Sequence, residues 1–177
     1  QLLKELKHLP TKITQVLAQG SQIEAFAEKY ARFEHFFFMG RRYMHPTSLE
    51  AALKLKEISY LNASGYPAGE MKHGPIALVN PDLAVIGLCG NLQTFDKMMS
   101  NLMEIQARGG AILAFAPKGK DEVLTITKDV LWIPKAPDML SSILYSVATQ
   151  LFAYYIAKLC GTDIDQPRNL AKSVTVE

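Results

Sequence analysis

Glu50, Lys54 and Glu57 stand four and three residues apart, the spacing that puts three side chains on one face of a helix. A carboxylate held beside an ammonium group stays ionised where burial alone would neutralise it, and an ionised carboxylate is what a general base needs. The same spacing equally suits a salt-bridged, solvated face. A second concentration of chemistry lies at Gly65-Tyr66-Pro67-Ala68-Gly69-Glu70-Met71-Lys72-His73-Gly74-Pro75, where a Glu, a Lys and a His crowd among three glycines and two prolines. His73 is a proton-transfer candidate, since histidine alone titrates unperturbed between pH 5 and 8. It could also tie down a loop by hydrogen bonds. Lys172 lies in a polar C-terminal segment, where a lone lysine is ordinarily a surface charge. Thr47 and Ser48 precede an apolar-periodic stretch and read as a helix N-cap, a generic anion site.

These residues need elements to position them. Leu2, Leu3, Leu6, Leu9, Ile13, Val16 and Leu17 recur at helical spacing, with Pro10 predicting a break, and residues 23–30 continue as a second helix. Continuous rather than alternating apolar runs at 34–40, 83–89 and 111–116 predict strands covered on both faces, and 123–126 and 130–133 predict two more. Helices are expected at 49–62, 91–108 and 138–159. Strand and helix in alternation predict an α/β fold: a three-layer αβα sandwich around a mostly parallel five-stranded sheet. Residues 1–177 then form one domain, with helices over 1–31, a sheet-and-helix core over 34–160 and a tail over 161–177. In such folds ligands bind at the carboxyl edge of the sheet, so the loop after Gly40 and the start of the following helix are the expected site.

The chain has 177 residues, 49% of them hydrophobic, and a net charge of +2 without any block of like charge. That excludes intrinsic disorder and argues against a dedicated nucleic-acid surface. The apolar run 83–89 is far too short to span a bilayer. Cys89 and Cys160 sit in apolar segments and read as small buried hydrophobes in a reducing cytosol. No Cys-x-x-Cys or His-x-x-x-His spacing suggests a metal site, and no cofactor is implied. The start at Gln1, without methionine, suggests a piece of something longer.

Three segments together, residues 49–60, Gly69-Glu70-Met71-Lys72-His73-Gly74-Pro75 and 165–177, resemble the glucosamine-6-phosphate synthase family, the isomerizing glutamine–fructose-6-phosphate aminotransferases. The likeness covers nearly the whole chain and is to the C-terminal of that family's two sugar isomerase (SIS) domains. It implies that Lys172 forms a Schiff base with the keto group of fructose 6-phosphate, and that Glu57 moves a proton between C1 and C2. Lys54 and Glu50 would support Glu57, and His73, tied to opening of the sugar ring, would reach a neighbouring subunit's site. Ala171 is expected to line the substrate, as are Thr47 and Ser48 at their helix start. The implied product is glucosamine 6-phosphate, at the entry to UDP-N-acetylglucosamine synthesis. The implied partners are the enzyme's own glutaminase and first SIS domains and a second subunit, with neither nucleic acid nor membrane, in the cytoplasm.

Two departures from the family pattern fall near the first loop: Gly40-Arg41-Arg42 where Gly-Arg-Gly is common, and Ala51 where glycine is common. A different class of function, a non-catalytic SIS module that senses sugar phosphates, would need neither the carboxylate–lysine face nor Lys172.

Overall fold

A computed structural model of the chain describes residues 2–168. Its elements run α1 (Leu2–Leu17), α2 (Gly20–Tyr30), β1 (His35–Gly40), α3 (Met44–Ser59), β2 (Asn62–Pro67), β3 (Leu83–Leu88), α4 (Phe95–Gln106), β4 (Ala111–Pro117), β5 (Val130–Ile133) and α5 (Asp138–Leu159). The five strands form one sheet in the order β2-β1-β3-β4-β5, every neighbouring pair parallel. All six residues of β3 are buried, as both-face coverage requires.

Two hydrophobic cores fill the sandwich. On one face α1, α2, α3 and α5 close over Phe36, Phe38, Phe115 and Phe152; on the other, α4 and the connection from β2 to β3 close over Phe37, Met39, Met98 and Leu102. That connection holds two short 3₁₀ segments, Ala68–His73 and Pro75–Leu78, where an α-helix is usual. Among the described helices, α5 alone is long and apolar enough to cross a membrane. Half of its most apolar stretch is buried here, and its contacts with α1, α2 and α3 are those of a core helix.

Several sequence expectations need correction. The predicted strand at 123–126 is a 3₁₀ segment, Asp121–Thr125. Val123 within it and Ile126, its C-cap, are the buried pair and stand three apart, which matches three residues per turn and not the two of a strand. The fifth strand is β2, hidden in the sequence because an edge strand tolerates weakly apolar residues and a terminal proline. Pro10 does not break α1. Burial of Leu9 and Val16 and the Lys12–Glu5 ion pair at 2.8 Å carry the helix past it. Cys160 is exposed, because it caps α5 beyond the last buried turn, whereas Cys89 is buried and its thiol pushed well up by desolvation.

Candidate functional site

Helix α3 begins at Met44, at the carboxyl edge of the sheet, and runs back toward the amino edge, where β2 starts beside β1 with Asn62 opposite His35. Its inner face is set by Met44, Ala51, Ala52 and Leu55, all buried against β1, β2 and α5. The small Ala51 and the absent side chain at Gly65 allow close approach: a Cβ on Gly65 would lie 2.7 Å from the Cα of Leu49 and the carbonyl oxygen of Ser48. The outer face carries Glu50, Lys54 and Glu57. Lys54 Nζ donates to Glu57 Oε2 at 2.5 Å and lies 3.8 Å from Glu50 Oε1. The hydrogen bond to Glu57 raises the pKa of Lys54 above its ordinary value, against a smaller opposing effect of burial, and the charges of Glu57 and Glu50 add to the rise. Lys54 is therefore a fixed cation that orients two carboxylates, not a free amine.

Thr47 and Ser48 do not cap this helix. The N-cap is Tyr43, and both residues lie inside the first turns, buried against the sheet. Thr47 Oγ1 donates to the Tyr43 carbonyl at 3.0 Å and Ser48 Oγ to the His45 carbonyl at 2.7 Å. The hydroxyl protons expected to hold a phosphate are thus committed to the backbone. The expected site at the start of α3 also lies apart from the acid–lysine face. Glu57 stands thirteen residues beyond Met44, about 20 Å along the helix axis.

His73 closes the 3₁₀ segment Ala68–His73 and is followed by Gly74 at φ +140°. Buried Ala68 and Met71 pin the segment to the α4 core, and Lys72 Nζ pairs with Glu104 Oε1 at 2.7 Å. The His73 side chain is 74% exposed, with Nε2 3.8 Å from Glu70 Oε2. Within one chain the sheet separates it from α3, and among the described residues no hydrogen bond or ion pair joins His73 to Glu50, Lys54 or Glu57.

The far end of α3 has a feature the sequence did not announce. Tyr60, left-handed at φ +65°, ends the helix. Its hydroxyl accepts the Arg168 backbone N–H at 2.8 Å, and the Arg168 guanidinium lies 4.6 Å from its ring centroid. Thr162 Oγ1 donates to the Ile58 carbonyl at 2.6 Å. Chain beyond α5 is thereby fastened one turn from Glu57. Ala171 and Lys172 lie outside the described residues. Also among the described residues, no cluster of three or more His, Cys, Asp or Glu could hold a metal ion.

The profile of the SIS domain family matches residues 29–159. The chain belongs to the SIS domain family. This SIS domain is 48% identical over 177 residues, its full length, to a glutamine–fructose-6-phosphate aminotransferase [isomerizing] of Thermus thermophilus, and spans 29% of that relative. The Escherichia coli K12 protein of the same name is 46% identical over 172 residues, 97% of this chain and 28% of its own. In both, the match is to a C-terminal part. Among solved structures, the C-terminal domain of glucosamine-fructose-6-phosphate aminotransferase from Francisella tularensis superposes with a TM-score of 0.85 at 36% identity, covering 92% of this chain and 46% of that one.

Proposed function

We propose that this SIS domain is the sugar-isomerising C-terminal part of an isomerizing glutamine–fructose-6-phosphate aminotransferase, and that the α3 face is its proton-transfer site. The observation that carries the reading is the alignment of Glu50, Lys54 and Glu57 on one accessible helix face, with the lysine ion-paired to both carboxylates. In this reading the ε-amine of Lys172 condenses with the C2 carbonyl of fructose 6-phosphate, forming a C=N bond and releasing water. Ammonia then adds to that carbon and displaces the Lys172 amine, leaving a C2 ketimine of ammonia; Glu57 removes a proton from C1 and returns one to C2, so the ketimine becomes an aldose amine. Lys54 and Glu50 hold Glu57 in position. Ammonia derived from glutamine comes from another part of the whole protein.

Two structural facts support the roles of the distant residues. Arg168 is anchored on Tyr60, which ends α3 three residues beyond Glu57, so the described chain stops close to that end of the helix. His73 faces away across the sheet from Glu57, which favours its service to a neighbouring subunit's site over its own.

Borohydride reduction of the whole enzyme in the presence of fructose 6-phosphate, followed by peptide mapping, tests the assignment. A sugar adduct on Lys172 is the expected result. An adduct on Lys54 would overturn the division of roles, and no adduct on any lysine would favour the non-catalytic sugar-phosphate sensor.

A further inference from the structure

Helix α3 ends on an unusual residue. A left-handed C-terminal cap ordinarily falls to glycine or asparagine, since a Cβ at positive φ crowds the backbone. Here Tyr60 takes that place, at φ 65° and ψ 9°, and the described residues hold one other non-glycine residue at positive φ, Arg42. The cap needs no ring. The Tyr60 backbone N–H donates to the Lys56 carbonyl whatever side chain the residue carries. Strain of this kind persists where the surrounding fold holds it, and it gathers at working sites.

The chain after α5 is what meets the strained residue. The Tyr60 hydroxyl accepts the Arg168 backbone N–H at 2.8 Å, and the ring lies under the Arg168 guanidinium. The way from α5 to Arg168 is itself tied down. Thr162 Oγ1 donates to the Ile58 carbonyl at 2.6 Å and lies 3.1 Å from the Ala157 carbonyl, so one hydroxyl closes the last turns of α3 and α5 together. Asp163 Oδ1 accepts the N–H groups of Asp165 at 3.1 Å and Gln166 at 2.9 Å, which stiffens the turn between them. Residues 162–168 thus form a short strut between the ends of two core helices, with Tyr60 as its far fixing. Glu57 lies three residues before that fixing.

We propose that Tyr60 is a positioning residue, which fixes the start of the segment carrying Lys172 at the Glu57 end of α3. This role rests on the proton-transfer reading of α3. Tyr60 acts through Arg168 and not on the sugar: its hydroxyl offers an acceptor to a backbone N–H, and its ring offers a face to a cation. A glycine would end α3 with less strain and offer neither. The tyrosine is therefore a choice of position over local comfort.

Amide hydrogen exchange on the 177-residue chain and glucosamine 6-phosphate formation by the whole enzyme test this together. Tyr60→Phe keeps the ring and loses the acceptor. Exchange at the Arg168 amide should quicken about fivefold and turnover should slow by about as much, the worth of one hydrogen bond. Arg168→Gln, which removes the cation and keeps the N–H, should change both readouts about threefold. Tyr60→Gly separates positioning from capping. It supplies the residue that a left-handed cap ordinarily carries, so the α3 amides keep their protection while turnover falls about twentyfold. Tyr154→Phe, at an exposed tyrosine of α5, should change neither readout. Parent-like turnover in Tyr60→Gly, or unchanged Arg168 exchange in Tyr60→Phe, would overturn the proposal. So would loss of α3 protection in Tyr60→Gly, which would make the residue a cap alone. Failure of the α3 reading shows elsewhere, in the parent enzyme, as absence of a borohydride-trapped adduct on Lys172, and it removes this role as well. A parent that is trapped at Lys172 beside unaffected Tyr60 variants removes this role by itself.

Discussion

Glu57 rides on a 16-residue helix packed against β1, β2 and α5, whereas His73 ends a six-residue 3₁₀ segment held to α4 by buried Met71 and one ion pair. The two lie on opposite layers of the same sheet. On α3 the helix itself fixes the spacing of the charged side chains, because 3.6 residues per turn aligns positions 50, 54 and 57 whatever surrounds them. On the other layer nothing periodic fixes His73. Its place follows from where β2 ends, how deep Met71 sits, and the φ of +140° at Gly74. Chemistry on the helix should therefore fail by loss of a functional group, and chemistry on the 3₁₀ segment by loss of position.

The largest effect expected is on the helix side. Glu57→Gln keeps the shape of the side chain and removes the base proposed there. In the whole enzyme, glucosamine 6-phosphate formation should fall about 10²–10⁴-fold, the usual contribution of a positioned base. Because Glu57 is exposed, the unfolding free energy of the 177-residue chain should change by no more than about 0.5 kcal/mol. Ordinary turnover in this variant would remove Glu57 from the proton shuttle.

Next comes Gly65→Ala, which attacks the seat of α3 instead of its chemistry. The added Cβ would meet Leu49 Cα, Leu49 N and the Ser48 carbonyl oxygen within 2.7–2.8 Å, all of them backbone that cannot swing aside. Helix and strand must part, at a cost of about 3 kcal/mol measurable by urea unfolding. A cost below about 1 kcal/mol would show that α3 is seated more loosely than the comparison requires. Gly74→Ala makes the matching test on the other layer. No atom lies within 4 Å of the added Cβ, so the penalty is purely conformational, at about 1–2 kcal/mol. The strain is local and sits on an exposed segment, so the amides of residues 70–76 should exchange faster while those of α3 keep their protection.

The contrast between the layers also explains what was legible in the sequence. Helix α3 and its acid–lysine face announced themselves through periodicity, as did β1, β3 and β4 through unbroken apolar runs. What escaped was decided by contacts far apart in the chain. β2 is Asn-Ala-Ser-Gly-Tyr-Pro, a poor strand sequence that pairs because β1 offers an edge and α3 needs a glycine beneath it. Thr47 and Ser48 have the right chemistry for a cap, but α3 starts a turn earlier, at Met44, and buries them. The left-handed Arg42 after β1 was not expected. Tyr60 carried no signal at all, since its value lies in Arg168, 108 residues later.

Lys54→Met has the smallest effect and draws the comparison most finely. The ammonium is about one-third exposed and its carboxylate partners are more so, at 46% and 44% for Glu50 and Glu57. Water and salt screen such a pair, and its loss should cost at most about 1 kcal/mol. The pH dependence identifies the pair even at that size. The folded pKa of Lys54 is raised above the unfolded value near 10.5, so the stabilisation is complete below 10.5 and disappears as pH climbs through the folded value. The difference in unfolding free energy between the parent chain and Lys54→Met should be flat from about pH 6 to pH 9, shrink above 10.5, and decrease with added salt. A difference that vanished on acidification through neutrality would mean that the group responsible is not this lysine. A difference indifferent to salt would mean that Lys54 acts through packing of its aliphatic stem, and that the carboxylates of α3 are positioned without it.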